Sequence, residues 1–138
     1  MRTITVELGE KTYNIEIAAG LLDQIGAKAR VLSQAVKAAI ISDSNVDPLY
    51  GERLERSLAA SEFEVTRIVF AAGEQSKNLT VLGQVYDELA RAGLTRSDLI
   101  LTLGGGVPGD LGGFAAATFL RGIDFIQVPT CLLYTSPS

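Results

Sequence analysis

The sequence predicts an α/β protein with a mainly parallel sheet and an N-terminal β-hairpin. Two alternating segments, residues 3–8 and 12–17, flank Gly9-Glu10-Lys11 and predict the hairpin. Short apolar strands then alternate with helical segments, which is typical of βαβ units covered by helices on both faces. A glycine-rich stretch between one such strand and its following helix, residues 104–110, makes the predicted sheet Rossmann-like.

The predicted elements follow one another without repeats or low-complexity linkers. Strands are predicted over residues 37–41, 64–70, 98–103 and 124–128, and helices over 20–32, from 47 onward, 78–92 and 110–120. We expect Asp47 to be the N-cap of the second helix, with Pro48 at its first position. One face of the third helix is expected to be buried and comprises Leu79, Leu82, Val85, Tyr86 and Leu89.

The composition excludes several classes of protein. The chain has 138 residues, a net charge of −4 and no basic block, so no nucleic-acid partner is expected. It shows neither a signal peptide nor an apolar run of about 18 residues, so we expect a cytoplasmic protein without a membrane partner. No histidine is present, so chemistry must use carboxylates, Lys, Arg, backbone dipoles or a bound cofactor.

The glycine-rich stretch is the strongest local signal. Gly104, Gly106 and Gly109 satisfy G-x-G-x-x-G between a strand and a helix, where close backbone approach and a helix N-terminus favour a pyrophosphate. The match departs from the Rossmann fingerprint: it is not in the first βα unit, and no acid ends the following strand. A tight strand–helix turn is the alternative, with Asp110 as an ordinary acid at a helix start.

Other polar clusters also follow predicted strands, whose carboxyl ends form one rim of a parallel sheet. Residues 42–45 (Ser-Asp-Ser-Asn) fit ribose and adenine recognition, or an Asx turn leading to Asp47. Residues 73–77 (Gly-Glu-Gln-Ser-Lys) fit cofactor contacts through Glu74 and Lys77, or a surface ion pair. Arg121 fits an anion clamp, or a cation that stabilises a helix C-terminus.

Together these motifs resemble the 3-dehydroquinate synthase family. Residues 104–130 are similar to its longest signature, and the order of the three clusters follows its pattern over residues 1 to about 130. The resemblance implies that Arg121 binds substrate and is the catalytic-site residue of this part. It also implies that NAD is bound by Asp43, Asn45, Glu74, Lys77, Gly105, Gly106, Val107, Gly109, Asp110 and Thr130.

The resemblance further implies a shikimate-pathway lyase that converts DAHP into 3-dehydroquinate and phosphate. NAD transiently oxidises the substrate and is regenerated, and a divalent metal, zinc or cobalt, polarises the reacting oxygens. The family's second, helical metal-binding domain is absent from this sequence, so we expect an N-terminal fragment that is inactive alone. The parent enzyme is expected to be a homodimer.

Residues 1–130 are interpreted as an incomplete NAD-binding domain. Residues 131–138 back-translate to a sequence resembling a transposase-based adapter read in frame, so they are interpreted as a non-native tail. A divergent loop with a natural stop is the alternative. Three other functions stay open: an inosose or valiolone synthase, a metal-dependent alcohol or glycerol dehydrogenase, and a non-enzymatic NAD-binding module.

Overall fold

The computed structural model describes residues 2–8, 11–17, 21–73, 78–104, 106–118 and 123–129. The described strands form one six-stranded sheet in the order β2-β1-β6-β5-β3-β4. The strands are Arg2–Leu8 (β1), Lys11–Ile17 (β2), Lys37–Asp43 (β3), Glu64–Phe70 (β4), Leu99–Gly104 (β5) and Asp124–Pro129 (β6).

Helical segments connect the strands from β2 onward. The α-helices are Ile25–Leu32 (α1), Glu52–Ala60 (α2), Leu79–Arg91 (α3) and Gly106–Thr118 (α4). A 3₁₀ turn, Leu21–Gln24, precedes α1, and a π-helical turn, Asp47–Gly51, precedes α2. Within the described residues, no helix is long and apolar enough to cross a bilayer.

The strand pairing confirms the predicted fold. β3 pairs in parallel with β4 and β5, and β5 pairs in parallel with β6. β1 pairs antiparallel with both β2 and β6, so the hairpin extends the sheet beside β6. The carboxyl ends of β3, β4, β5 and β6 therefore lie at one rim of the sheet.

Each face of the parallel sheet carries its own apolar core. Leu22, Leu54 and Leu58 of the α1–α2 side pack with alternate residues of β3 and β5, such as Ile40 and Leu101. The other face packs α3 and α4 on the remaining residues of the same strands. Because β3 and β5 are buried on both sides, their central residues are mostly apolar, with Ser42 and Thr102 as buried polar exceptions, as expected for a parallel sheet between helix layers.

Three local predictions were wrong. Asp47 is not the N-cap; Val46 holds that position, and Asp43 accepts the amide hydrogen bonds of the preceding turn instead. Leu79 is 82% exposed because it begins α3, whereas Leu82, Val85 and Leu89 are buried as predicted.

The third difference concerns α4, which begins at Gly106 rather than Asp110. Much of the glycine-rich stretch is therefore the first turn of the helix, and Asp110 belongs to its second turn. Pro108 fits there because a first-turn residue needs no amide donor. The predicted tail, residues 131–138, lies outside the described residues, and its interpretation stays a prediction that an independent clone of the locus would test.

Candidate functional site

The rim contains a topological switch point between β3 and β5. The helix that follows β3, α2, packs on one face of the sheet, and the helix that follows β5, α4, packs on the other. Since β3 and β5 are neighbours, their carboxyl ends open a crevice between two diverging connections. Ligands of open α/β sheets bind in such crevices.

Asp43 ends β3 at this crevice and organises the turn after it. Its Oδ1 accepts hydrogen bonds from the amides of Asn45 and Val46, both at 2.9 Å. The predicted Asx turn is therefore present, and one carboxylate oxygen of Asp43 is engaged in it. Asn45 is exposed on the turn. The turn fixes the direction of the Asp43 carboxylate rather than leaving it to solvent.

Ser42 connects the carboxyl end of β3 to that of β5, the neighbouring strand across the switch point. Its buried Oγ donates a hydrogen bond of 2.8 Å to the carbonyl of Leu103 in β5. This bond joins the last residue before Asp43 to the last residue before Gly104. The two strand ends that form the crevice are thereby held together by a side chain as well as by the ladder.

Gly104 is the residue at which β5 turns into α4. Its φ of +142° lies in a region that L side chains rarely adopt. A Cβ on Gly104 would also lie 2.8 Å from Cγ of Pro108, which is buried in the first turn of α4. Glycine is therefore required here both by backbone conformation and by the close approach of Pro108.

The N-terminus of α4 faces the rim directly after this turn. The amides of Gly106 and Val107, at the first two helical positions, have no acceptor within an α-helix, whereas Pro108 has no amide hydrogen at all. Gly109 completes the first turn. The aligned peptide dipoles add a partial positive charge at this end, so the turn favours an anion.

Asp110 lies one turn further along α4 and is exposed. It lines a groove of about 350 Å³ between the N-terminal halves of α3 and α4, together with Asn78, Leu79, Leu82, Leu111 and Phe114. Asn78 caps α3 by accepting a hydrogen bond of 3.0 Å from the Val81 amide. The groove is mostly apolar, with Asp110 as its acidic residue.

Sequence reasoning missed the glycine that sets the distance between α4 and the sheet. A Cβ on Gly112 would overlap Cγ2 of Thr102 in β5, and a Cβ on Gly113 would lie 3.6 Å from the Phe125 ring. Close helix–strand packing is the role of a third glycine in dinucleotide-binding turns. The Gly-Gly pair inside a predicted helix was the available signal, because glycine in a helix interior is otherwise unfavourable.

The structure thus brings Asp43, Asn45, Gly106, Val107 and Gly109 to one rim, with Asp110 one turn beyond it. Five predicted site residues lie outside the described residues, namely Glu74, Lys77, Gly105, Arg121 and Thr130. Across the described ranges, no group of three His, Cys, Asp or Glu side chains is arranged to hold a metal ion.

A parallel sheet with a glycine turn at its switch point defines a Rossmann-like α/β protein. A family model described as 3-dehydroquinate synthase N-terminal matches residues 67–138. The chain belongs to the 3-dehydroquinate synthase family.

Curated relatives extend this similarity over nearly the whole chain. It is 50% identical over 133 residues to the 3-dehydroquinate synthase of Clostridium acetobutylicum, covering 96% of this chain and 37% of that protein. It is 51% identical over 130 residues to that of Enterococcus faecalis V583, covering 94% and 36%. The chain therefore spans little more than a third of these relatives' length.

Solved structures of sugar-phosphate cyclases share the fold. A 2-deoxy-scyllo-inosose synthase complexed with carbaglucose-6-phosphate, NAD⁺ and Co²⁺ matches with a TM-score of 0.78 and 25% identity, over 93% of this chain and 35% of that one. The 2-epi-5-epi-valiolone synthase of Streptomyces hygroscopicus, with NAD⁺ and Zn²⁺ bound, gives 0.62 and 31% over 84% and 32%. A 1,3-propanediol oxidoreductase, 22% identical at a TM-score of 0.60 over 76% and 26%, shares the fold alone.

Proposed function

We propose that this chain is the NAD-binding N-terminal part of a 3-dehydroquinate synthase, here called the parent enzyme. The observation that carries the proposal is the glycine turn at the β3–β5 switch point, next to Asp43, in a chain about 50% identical to curated synthases. The parent enzyme is a lyase that converts DAHP into 3-dehydroquinate and phosphate.

The described residues fit NAD at the rim. Gly104 allows the backbone to turn close to a ligand. The amides of Gly106 and Val107, at the positive end of α4, can then donate hydrogen bonds to a pyrophosphate. On the other side of the crevice, Asp43 is held by its turn, so its carboxylate can accept hydrogen bonds from ribose hydroxyls. The site therefore offers a partial positive charge at the N-terminus of α4 for the pyrophosphate and the Asp43 carboxylate for ribose hydroxyls.

We assign the residues of this chain to parts of NAD according to the motif in which each of them stands in the sequence. Asp43 and Asn45 bind the adenosine half, with Glu74 and Lys77 contacting its ribose and neighbouring groups. Gly105, Gly106, Val107 and Gly109 hold the pyrophosphate, Asp110 faces the nicotinamide side and Thr130 adds a further contact. Bound NAD supplies a hydride acceptor that returns the hydride, so the reaction consumes no net oxidant.

The metal of the parent enzyme is proposed to bind outside this chain. The sequence contains no histidine, and the described carboxylates form no cluster suited to a metal ion. The curated relatives are nearly three times as long as the aligned region, which leaves room for a metal-binding domain. In this proposal the described residues bind NAD and contribute no ligand to zinc or cobalt.

The remaining assignments concern substrate and assembly. Arg121 is proposed to bind an anionic group of DAHP, because a guanidinium can donate two parallel hydrogen bonds to phosphate or carboxylate. The parent enzyme is proposed to be a cytoplasmic homodimer. An inosose or valiolone synthase is less well supported, since the solved cyclases are 25% and 31% identical, against about 50% for curated 3-dehydroquinate synthases.

The test is phosphate release from DAHP by the purified parent enzyme, with NAD and Zn²⁺ or Co²⁺ supplied. We expect turnover that requires both, formation of 3-dehydroquinate, and no accumulation of free NADH. Net NADH production from an alcohol would instead identify a dehydrogenase, and cyclisation of a different sugar phosphate would identify another cyclase. The 138-residue chain alone is expected to release no phosphate above background.

A further inference from the structure

The parallel ladder between β3 and β4 ends at the pair Asp43 and Phe70. Beyond this pair, Ser44 continues the connection in two ways. Its amide donates a hydrogen bond of 2.8 Å to the Phe70 carbonyl. Its Oγ accepts one of 3.0 Å from the amide of Ala72. Ser44 therefore joins the turn after β3, residues 43–46, to the turn after β4, residues 71–73.

These two turns belong to different parts of the proposed cofactor site. The β3 turn carries Asp43 and Asn45. The β4 turn ends at Gly73, whose φ is +118°, and leads into residues 74–77. The distance between the turns therefore decides whether both can contact one bound molecule.

Asp43 lies between two serine links that run to opposite neighbours. Ser42 binds the Leu103 carbonyl of β5 through a buried hydroxyl, and Ser44 accepts from Ala72 after β4. Asp43 itself is held by the amides of the β3 turn. The β3 turn is thus anchored on both sides of the strand, and its connection toward β4 includes the exposed side chain of Ser44 as well as the Ser44 amide.

We infer that Ser44 is a positioning residue that holds the β3 and β4 turns at the separation required by the adenosine half of NAD. The inference rests on the proposed function. Ser44 needs no contact with the cofactor for this role, because it acts through the backbone of Ala72. Its side chain is exposed, so removing the hydroxyl leaves no buried cavity and should change ligand affinity more than folding.

The experiment compares three variants of the parent enzyme. Ser44→Ala removes the acceptor, and Ser44→Thr retains a hydroxyl at this exposed position. Thr95→Ala is the control, since Thr95 Oγ1 accepts from the Ser97 amide at 3.3 Å and donates to Asp98 Oδ2 at 3.2 Å in the turn before β5, at the opposite end of the sheet. The readouts are the Kd for NAD by calorimetry and amide exchange of residues 71–73.

We expect Ser44→Ala to raise the Kd for NAD by about three- to tenfold, the change that one ordinary hydrogen bond corresponds to. Exchange in residues 71–73 should become faster, while Ser44→Thr and Thr95→Ala keep the original affinity. If the parent enzyme binds NAD and Ser44→Ala binds it equally well, the positioning role is wrong and the proposed function stands. Equal weakening by Thr95→Ala also overturns the role, and absence of NAD binding by the parent enzyme overturns both.

Discussion

Gly112 in α4 lies so close to Thr102 in β5 that a methyl group on Gly112 would overlap Cγ2 of Thr102. Alanine normally stabilises a helix relative to glycine by up to about 1 kcal/mol. Here the overlap with a buried strand residue opposes that gain, and overpacking costs about 1–3 kcal/mol. We expect Gly112→Ala to lower the free energy of unfolding by about 1–2 kcal/mol, measured by denaturation of the 138-residue chain.

The neighbouring glycine provides the control for this prediction. A Cβ on Gly113 would lie 3.6 Å from the Phe125 ring, an ordinary contact distance. Gly113→Ala should therefore leave stability unchanged or raise it. Thr102→Ser removes Cγ2 and should restore much of the stability of Gly112→Ala. Equal effects of the two alanine substitutions would show that the close approach does not govern stability.

Asp110 offers a test of the cofactor site that is separable from folding. It is exposed and belongs to the second turn of α4, and the helix dipole acts mainly on charges in the first turn. Its role as an ordinary helix-start acid is therefore weaker than the sequence indicated. We expect Asp110→Ala in the parent enzyme to weaken NAD binding about tenfold or more, the loss expected for a charged hydrogen-bonding group, with the melting temperature nearly unchanged.

Asp87→Ala is the control for Asp110→Ala. Asp87 is also an exposed aspartate within a helix, α3, but it lines a different groove, beside β4. This variant should bind NAD with the original affinity. If Asp110→Ala also retains that affinity, Asp110 is not a cofactor contact.

Much of the fold was predictable because the strongest sequence patterns coincide with the elements. The strand Glu64–Phe70 has the predicted bounds, and α3 ends before Gly93, whose φ of +74° explains the stop. The predicted ends of helices were wrong where the local preference of a residue competes with its tertiary contacts. Asp47 has the residue type of an N-cap, but Arg67 on β4 attracts its carboxylate, and Asp43 serves the turn instead.

The sequence predicted that the site lies at the rim of the sheet, but it did not predict which residues contact one another there. The cluster at residues 42–45 was correctly placed at a strand end, yet its individual roles depend on which strands become neighbours. The bonds of Ser42 to Leu103 and of Ser44 to Ala72 join residues 61 and 28 positions apart. No local pattern in a single sequence contains that information.

Arg67 is predicted to stabilise the start of the helical segment after the β3 turn. Its Nε lies 3.0 Å from Glu55 Oε1, and its Nη1 lies 3.6 Å from Asp47 Oδ1. Asp47 Oδ1 is buried and accepts no hydrogen bond from the described residues, so Arg67 provides its compensating charge. We expect Arg67→Met to lower the free energy of unfolding by about 1–2 kcal/mol. This is less than the loss expected on breaking a fully buried ion pair, because the Arg67 side chain is 32% exposed.

Two further variants distinguish this role from lost packing. Asp47→Asn in the Arg67→Met background removes the uncompensated charge and should recover part of the stability. Arg53→Met breaks the exposed pair with Asp23, in which the arginine lowers the pKa of the carboxyl, and should change stability little. If Arg53→Met lowers the stability as much as Arg67→Met, burial of the Asp47 carboxylate does not explain the effect of Arg67.

Asp124 begins β6, at the end of the sheet opposite the candidate site, and predicts a pH dependence of stability. Burial raises the pKa of its carboxyl above the ordinary value of 3.8, and a hydrogen bond with Ser33 partly opposes this shift. A carboxyl with a raised pKa in the folded state contributes its full stability at a pH below its pKa in the unfolded chain. That contribution is lost as the pH rises through its pKa in the folded chain. Asp124→Asn, which stays neutral, should therefore melt at a higher temperature than the original chain at pH 7.

The difference between the two chains should shrink as the pH falls and disappear below about pH 4, where the aspartate is protonated in both states. Ser33→Ala is the second variant, because removing the opposing hydrogen bond should raise the pKa of Asp124 further. The checks are melting temperatures across this pH range and direct titration of the Asp124 carboxyl by NMR. An Asn variant that is less stable at pH 7 would mean that the ionised carboxylate is favourable in the fold, and the assignment of burial as the dominant cause would be wrong.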